Sequence, residues 1–274
     1  MRHVNRSWTI AVVIFSACVF APAALSAPRC FDHAATIVGT DKADIIVGTA
    51  GRDVIVSGKG RDFIRGLGGN DLVCGGPSFD DIELGPGADK ANSGAGADFI
   101  EGEGGNDSLW AGRGNDFLDG VYGGPGNDRL FGGPGGDYLE GGHGDDRVRG
   151  GPGGDFFADG GSKRSDDVYI GSRGLDGARW FTRKPLTADL TVGLATGAGT
   201  DSLLSIEDIA GGEGSDTLIG DSAANEIDGF GGDDHMEGRG GNDFLDGWDG
   251  TDVIDGGPGT MDKCRRGETV LNCE

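Results

Sequence analysis

The amino-acid sequence predicts an all-β protein built from many short strands that recur at a fixed interval. From Asp44 to Asp116 every ninth residue is an aspartate, and an apolar residue follows each aspartate two positions later. Glycines keep the same interval, so the repeated unit has the form G-G-x-G-x-D-x-apolar-x, as between Gly132 and Glu140. The last three residues of the unit are too few for a helix, but they suffice for a short strand whose middle side chain points inward.

The same unit has the composition of a metal-binding loop. Glycines let the backbone adopt positive φ and wrap closely round an ion, which directs carbonyl oxygens inward. The aspartate at the sixth place adds a carboxylate, and oxygen-only ligands suit a hard cation such as Ca²⁺. Mg²⁺ is disfavoured because it requires rigid octahedral geometry and retains its waters. We therefore predict that the chain binds multiple Ca²⁺ ions.

With this unit the chain resembles the repeat-in-toxin, or haemolysin-type, calcium-binding nonapeptide proteins. The resemblance implies a parallel β-roll, a right-handed β-helix solenoid in which two nonapeptides make one turn. It also implies that each Ca²⁺ lies between loops one turn apart, so that Asp53 shares a site with Asp71, Asp62 with Asp80, and Asp98 with Asp116. The predicted metal ligands are Asp53, Asp62, Asp71, Asp80, Asp89, Asp98, Asp107, Asp116, Asp128, Asp137, Asp146, Asp155, Asp216, Asp234, Asp243 and Asp252.

The first 26 residues predict a cleaved export signal. Arg2 and Arg6 precede an apolar run from Ile10 to Phe20, and small residues before Ala27 form a cleavage site. No second apolar stretch is long enough to span a membrane, so we expect a soluble, extracellular mature protein. An uncleaved N-terminal anchor is the alternative.

The chain is strongly acidic. Its 23 basic and 46 acidic side chains give a formal net charge of −23, which becomes −25 when the two arginines of the signal are removed. Such a charge repels nucleic acid and anionic membranes. One inward apolar residue per nonapeptide gives only a thin core. We therefore expect the chain to fold on Ca²⁺ and to be poorly folded without it.

Four cysteines remain in the mature chain. An even number of cysteines in an exported protein favours disulfides, and three pairings are possible. We favour Cys30 with Cys74 and Cys264 with Cys273, because each pair would tie down one end of the solenoid, where a stack lacks a neighbour.

The repeat interval divides the chain into segments. Between Asp116 and Asp128 the interval is twelve residues, which we interpret as a three-residue bulge at 120–122 in a loop. Asn225 replaces an aspartate and predicts a weaker site, because it keeps an oxygen but loses the charge. The expected segments are a signal (1–26), an N-terminal cap (27–38), a first repeat block (39–158), irregular turns or an insertion (159–210), a second repeat block (211–259) and a C-terminal cap (260–274).

The seventh residue of each repeat points outward, and alternate repeats share a face. One face then carries Phe63, Phe99, Phe117, Tyr138 and Phe156, whereas the other carries Lys90, Arg129 and Arg147. Strand propensity alone can explain exposed aromatics. A contact surface is the other interpretation, covered either by segment 159–210 or by a second copy. Acidic neighbours on the aromatic face oppose the pairing of two such faces, so we favour a cover by Trp180 and Phe181.

We predict a non-enzymatic protein. His33, His143 and His235 are scattered and none is placed beside a serine or cysteine, so the sequence offers no catalytic residue. The function that fits best is that of an exported calcium-binding β-roll protein. The alternatives are an adhesin or cell-envelope binding module that uses the face of Phe63, Phe99 and Phe117, and a calcium-dependent hydrolase with its site in 159–210.

Overall fold

The computed structural model describes residues 27–114, 120–160, 165–197, 199–259 and 261–274. The predicted export signal lies outside these residues, as do Asp116 and Phe117. Throughout the described residues the chain is all-β, with strands numbered along the chain and no helix. The fold is the predicted parallel β-roll, in which two sheets face each other across a narrow core. No helix in the described ranges is long and apolar enough to cross a membrane.

The first sheet contains twelve strands among the described residues. They are β4 (Ile45–Val47), β6 (Phe63–Arg65), β8 (Asp81–Glu83), β10 (Phe99–Glu101), β12 (Gly120–Pro125), β14 (Tyr138–His143), β16 (Phe156–Asp159), β18 (Gly177–Trp180), β22 (Asp208–Ala210), β24 (Glu226–Asp228), β26 (Phe244–Asp246) and β28 (Lys263–Arg265).

The second sheet contains fifteen strands in the same described ranges. They are β3 (Ile37–Val38), β5 (Val54–Val56), β7 (Leu72–Pro77), β9 (Lys90–Ala95), β11 (Ser108–Trp110), β13 (Arg129–Phe131), β15 (Arg147–Pro152), β17 (Val168–Arg173), β19 (Thr187–Asp189), β20 (Leu194–Thr196), β21 (Thr200–Leu204), β23 (Thr217–Ile219), β25 (His235–Glu237), β27 (Val253–Asp255) and β29 (Thr269–Leu271).

The strand register confirms two nonapeptides per turn. Ile46 pairs with Ile64 and Ile64 with Ile82, an offset of two repeats at each step. The middle residue of each regular strand points inward, and Ile64, Ile82 and Ile100 are fully buried. Between strands the chain turns sharply. Gly105, at φ +141°, lies so close to the backbone of the preceding turn that a side-chain carbon there would lie 1.3 Å from the carbonyl oxygen of Gly87.

The interpretation of residues 120–122 as a loop bulge is wrong. Gly120, Val121 and Tyr122 belong to β12, where Val121 is the register partner of Ile100 on one side and of Leu139 on the other. The backbone of Val121 therefore occupies the register position that the nine-residue interval assigned to Leu118, three residues earlier.

Segment 159–210 lies within the stack. Its strand β18 pairs in parallel with β16 and β22, and Trp180 is buried in the core. In the described part of this segment, β20 pairs antiparallel with β19 and with β21 in the second sheet. Because Trp180 points into the core and Phe181 packs against Arg179, the expectation that these two residues cover the aromatic face is wrong.

Both ends of the roll are held by disulfides, and the structure confirms the two pairings. Cys30, on the strand β1 (Arg29–Cys30), is bonded to Cys74 with a Cα–Cα distance of 5.7 Å. This strand forms a hairpin with β2 (His33–Ala34). At the other end Cys264 is bonded to Cys273, at a Cα–Cα distance of 5.9 Å.

Candidate metal centre

The repeat aspartates form two hydrogen-bonded ladders, one along each edge of the roll. Each aspartate lies directly before a strand, and its backbone N–H donates to Oδ1 of the aspartate one turn farther along. The N–H of Asp53 donates to Asp71 at 2.8 Å, and that of Asp71 donates to Asp89 at 2.6 Å. On the other edge Asp62 donates to Asp80 at 2.9 Å. Aspartates two repeats apart are thus brought together, as the predicted shared sites require.

The second carboxylate oxygen, Oδ2, is buried along both ladders. At many positions it accepts no hydrogen bond from any residue that the structure describes. This holds for Asp71, Asp80, Asp89, Asp107, Asp128, Asp146, Asp155, Asp234, Asp243 and Asp252. Burying an ionised oxygen without a donor or a counter-charge costs several kcal/mol. Each such oxygen therefore requires either a cation or a proton.

The glycine at the first place of the repeat leaves space beside this oxygen. A side-chain carbon at Gly102 would lie 2.7 Å from Oδ2 of Asp107 and 2.4 Å from the carbonyl oxygen of Gly123, one turn farther along. Two oxygen atoms of different turns thus converge on a position that any larger residue would fill. This cradle is repeated along the roll, with a carbon at Gly75 lying 2.7 Å from Oδ2 of Asp80 and 2.6 Å from the carbonyl oxygen of Ser93.

Burial makes these carboxyl groups weak acids. Loss of solvation is the main cause that raises the pKa of Asp80, Asp89 and Asp107 to about 7, although each accepts a backbone hydrogen bond that opposes the shift. Burial raises the pKa of Asp146 to about 8, and the neighbouring carboxylates of Asp167 and Asp128 add to the effect. A bound cation would therefore compete with a proton at each of these carboxyl groups.

The residues present fit Ca²⁺. The cradles offer carboxylate and carbonyl oxygens, and a hard cation that tolerates variable geometry prefers such a set. The donors are repeated along the described part of the roll, which agrees with the prediction of multiple sites. Asp98 and Asp137 occupy their expected ladder positions, since Asp98 accepts from the N–H of Asp80 and Asp137 donates to Asp155. Asp116 lies outside the described residues.

Two predicted ligands differ from the others in their surroundings. Oδ2 of Asp53 accepts hydrogen bonds from the backbone N–H of Thr49 at 2.6 Å and from its hydroxyl at 3.0 Å. Oδ2 of Asp216 accepts from the N–H of Gly212 at 2.8 Å. Asn225 takes its ladder position, because its N–H donates to Asp243 and its amide nitrogen donates to the carbonyl of Glu207.

Sequence reasoning missed four aspartates that continue the ladders. Asp167 accepts from Asp146, Asp176 from Asp155, Asp201 from Asp167 and Asp262 from Asp243, at distances between 2.8 and 3.1 Å. A signal for them was available, because each is followed after one residue by a side chain of the core cluster or packed against it. Only the spacing is lost, because the 18 residues between regular ladder partners become 21 for Asp167 and Asp176, 34 for Asp201 and 19 for Asp262.

Three of the buried carboxylates converge in the middle of the chain. Asp159, Asp167 and Asp201 each place an oxygen within 4.8 Å of the other two. The hydroxyl of Tyr169 donates to Asp167 at 3.2 Å, and the indole N–H of Trp180 donates to Asp201 at 2.9 Å. The larger core residues of this region thus orient the carboxylates of the ladder.

A family model agrees with this geometry. The model described as RTX calcium-binding nonapeptide repeat (4 copies) matches residues 38–73, 47–82, 83–120, 122–157, 210–245 and 228–260, together more than half of the chain. The chain belongs to this family. As an RTX repeat protein it is a member of a group whose repeats bind calcium, and the aspartate rows agree with that property. No curated protein sequence matches the chain.

Proposed function

We propose that this RTX protein is an exported, non-enzymatic calcium-binding module that folds when it binds Ca²⁺. The observation that carries the proposal is the row of buried Oδ2 atoms, which lack hydrogen-bond donors in the described residues. A row of such charges stacked one turn apart opposes the fold at neutral pH, and Ca²⁺ removes that opposition.

Export is supported by the sequence and by the cysteines. The N-terminal 26 residues have the features of a signal peptide. Two disulfides close the ends of the roll, and such bonds persist in oxidising compartments outside the cytoplasm. A calcium-coupled fold also suits this location, because extracellular modules bind Ca²⁺ weakly, with dissociation constants of about 10⁻⁴ to 10⁻³ M.

A second candidate function is a binding module for a protein or a cell-envelope component. It is supported by a continuous row of aromatic rings on the first sheet. Ring centroids lie 5.4 Å apart between Phe99 and Tyr122, 5.8 Å between Tyr122 and Tyr138, and 5.5 Å between Tyr138 and Phe156. Tyr122 stands in this row, whereas the predicted Phe117 lies outside the described residues. Phe63 is separated from the row by Asp81.

Two neighbouring aspartates provide the test of the calcium function. Asp146 is buried in the ladder, whereas Asp145 is exposed beside it. Asp146→Asn and Asp145→Asn change the charge equally, so any difference reports the buried position. We expect isothermal titration of the mature chain with Ca²⁺ to show fewer bound ions or at least roughly tenfold weaker binding for Asp146→Asn only. Equal binding by both variants and the native chain would contradict the proposed site.

A further inference from the structure

The two outer faces of the roll differ in charge over the same turns. Strands β9, β11, β13, β15 and β17 of the second sheet contain no aspartate or glutamate. Their outward residues include Lys90, Arg129, Arg147 and Arg149, all exposed. We call these four residues the arginine patch. It stands out on a chain with a net charge of −23.

The arginine patch holds like charges close together. Arg129 and Arg147 are register partners on neighbouring strands, an arrangement that is unfavourable without a counter-charge. None of the patch residues forms an ion pair with a residue that the structure describes. Beside Arg149 lies a concavity of about 450 Å³, lined in part by Phe131, Pro152 and Arg173. The patch therefore offers cations and a recess to a partner.

The opposite face carries the complementary groups. The aromatic row of Phe99, Tyr122, Tyr138 and Phe156 is half-buried, and two carboxylates lie in the same strands of the first sheet, at Glu101 and Glu140. We call these six residues the aromatic–acid strip. Tyr122 is the register partner of both Glu101 and Glu140, so each carboxylate has a ring at its side. Arginine pairs with carboxylates and also binds over aromatic rings.

We propose that a second copy of this chain is the partner, and that copies associate face to back, with the arginine patch of one against the aromatic–acid strip of the next. Both surfaces belong to consecutive strands of the same turns and share one strand spacing of about 4.8 Å. Cations and carboxylates on the two copies therefore recur at matching intervals. Pairing of two identical faces would instead bring like charges together, which costs free energy.

The size and symmetry of the contact define its behaviour. Each surface spans four strands, roughly 14 Å along the roll. The surface area that such a contact buries is therefore smaller than that of a standard stable interface. Association is therefore weak and rapidly reversible. A contact between two different surfaces leaves one of each free, so the association continues beyond the dimer. Exposed ion pairs weaken when salt shortens the Debye length, so added salt dissociates the assembly.

The test uses sedimentation velocity of the mature chain with excess Ca²⁺, at low salt and at about 0.5 M salt. The first variant, Arg147→Gln with Arg149→Gln, removes two cations of the patch. The second, Glu101→Gln with Glu140→Gln, removes the carboxylates of the strip. Lys42→Gln with Arg52→Gln is the matched control, because both residues are exposed elsewhere on the roll. Circular dichroism first establishes that each protein has the native β spectrum with Ca²⁺.

We expect the native chain and the control to form a concentration-dependent series beyond the dimer at low salt, and each of the other variants to associate roughly tenfold more weakly. An equal mixture of the two weakened variants should form dimers that do not grow, because it contains one intact patch and one intact strip. A native chain that stays monomeric at every concentration overturns the proposal. The proposal is also overturned if either variant associates as strongly as the native chain. It is overturned as well if the mixture associates no more strongly than each variant alone.

Discussion

The backbone N–H of Asp71 donates a 2.6 Å hydrogen bond to Oδ1 of Asp89, one turn farther along the roll. Asp89 in turn donates to Asp107 at 2.8 Å. Oδ2 of Asp89 is left buried and accepts no hydrogen bond from the described residues. One oxygen of this carboxylate thus links two turns, and the other is the proposed ligand of a cation. A substitution at Asp89 should therefore destabilise the turns on both sides of its own turn.

Replacing Asp89 by alanine should lower the free energy of unfolding of the calcium-loaded chain by roughly 3 kcal/mol, because a buried charge loses its partner. Asp44 is the control. It lies at the edge of the stack, and its Oδ2 accepts hydrogen bonds from the N–H and the hydroxyl of Thr40. Asp44→Ala should cost less than about 1 kcal/mol. Denaturant unfolding at saturating Ca²⁺ measures both, and equal losses would contradict shared sites.

Substitutions at two glycines of one loop can test where the ion binds, because only Gly102 lies beside the cradle and Gly104 does not. Alanine at Gly102 would place its methyl group 2.7 Å from Oδ2 of Asp107, whereas at Gly104 it would meet nothing within 4 Å. We expect Gly102→Ala to weaken calcium binding at this turn and to lower the melting temperature with Ca²⁺, because the methyl group fills the cradle. Gly104→Ala should behave as the native chain. If calorimetry and calcium titration find the two variants alike, the cradle is not where the ion binds.

Stability without calcium should depend on pH in an unusual direction. The pKa values of Asp80 and Asp89 are about 7 in the fold, against about 3.9 in an unfolded chain. Folding is therefore accompanied by proton uptake at these two carboxyl groups. The stability that this uptake contributes is fully present below about pH 4 and is lost as the pH rises through 7. We expect more β structure in chelator at pH 5 than at pH 8 by circular dichroism, and an apparent calcium affinity that rises with pH. The opposite order would contradict the buried state of these carboxylates.

The two disulfides should differ in their contribution to stability. Cys30 and Cys74 are 44 residues apart, whereas Cys264 and Cys273 are 9 apart. A longer closed loop restricts the unfolded chain more, which gives about 4 kcal/mol for the first bond and about 2.5 kcal/mol for the second. Paired cysteine-to-serine variants, unfolded in denaturant with Ca²⁺, should rank in that order. An equal or reversed ranking would show that strain or local fraying outweighs the loop effect.

The aspartate interval predicted much of the fold and which carboxylates the ladders bring together, because each aspartate has two roles. Its Oδ1 accepts a hydrogen bond from the preceding turn, so its spacing sets the register, and its Oδ2 is the proposed ligand. The register of Asp53 on Asp71 follows from this spacing alone. The hydrogen bond from Thr49 to Oδ2 of Asp53 was not predicted, although Thr49 stands at the second place of its repeat, where the Asp89 repeat has Gly85.

The interruptions were harder to place for a physical reason. Three extra residues near position 120 can precede or follow a strand without changing the total interval. Both Leu118 and Val121 follow an aspartate by two residues, so the local pattern does not choose between them. The pairing of Val121 with Ile100 decides the register. Trp180 was expected at the surface, but it is buried in the core. The irregular turns of this segment accommodate a larger core residue than the regular repeats do.

Calcium titration of oxidised residues 27–274, followed by circular dichroism and thermal melting, tests most directly whether Ca²⁺ drives folding. In chelator at neutral pH we expect little β structure, because the fold removes solvent from the buried carboxylates without supplying a cation. Addition of Ca²⁺ should produce the β spectrum cooperatively, with a midpoint of about 10⁻⁴ to 10⁻³ M, and Mg²⁺ at the same concentrations should not. The same β spectrum and melting temperature in chelator as in Ca²⁺ would contradict calcium-dependent folding.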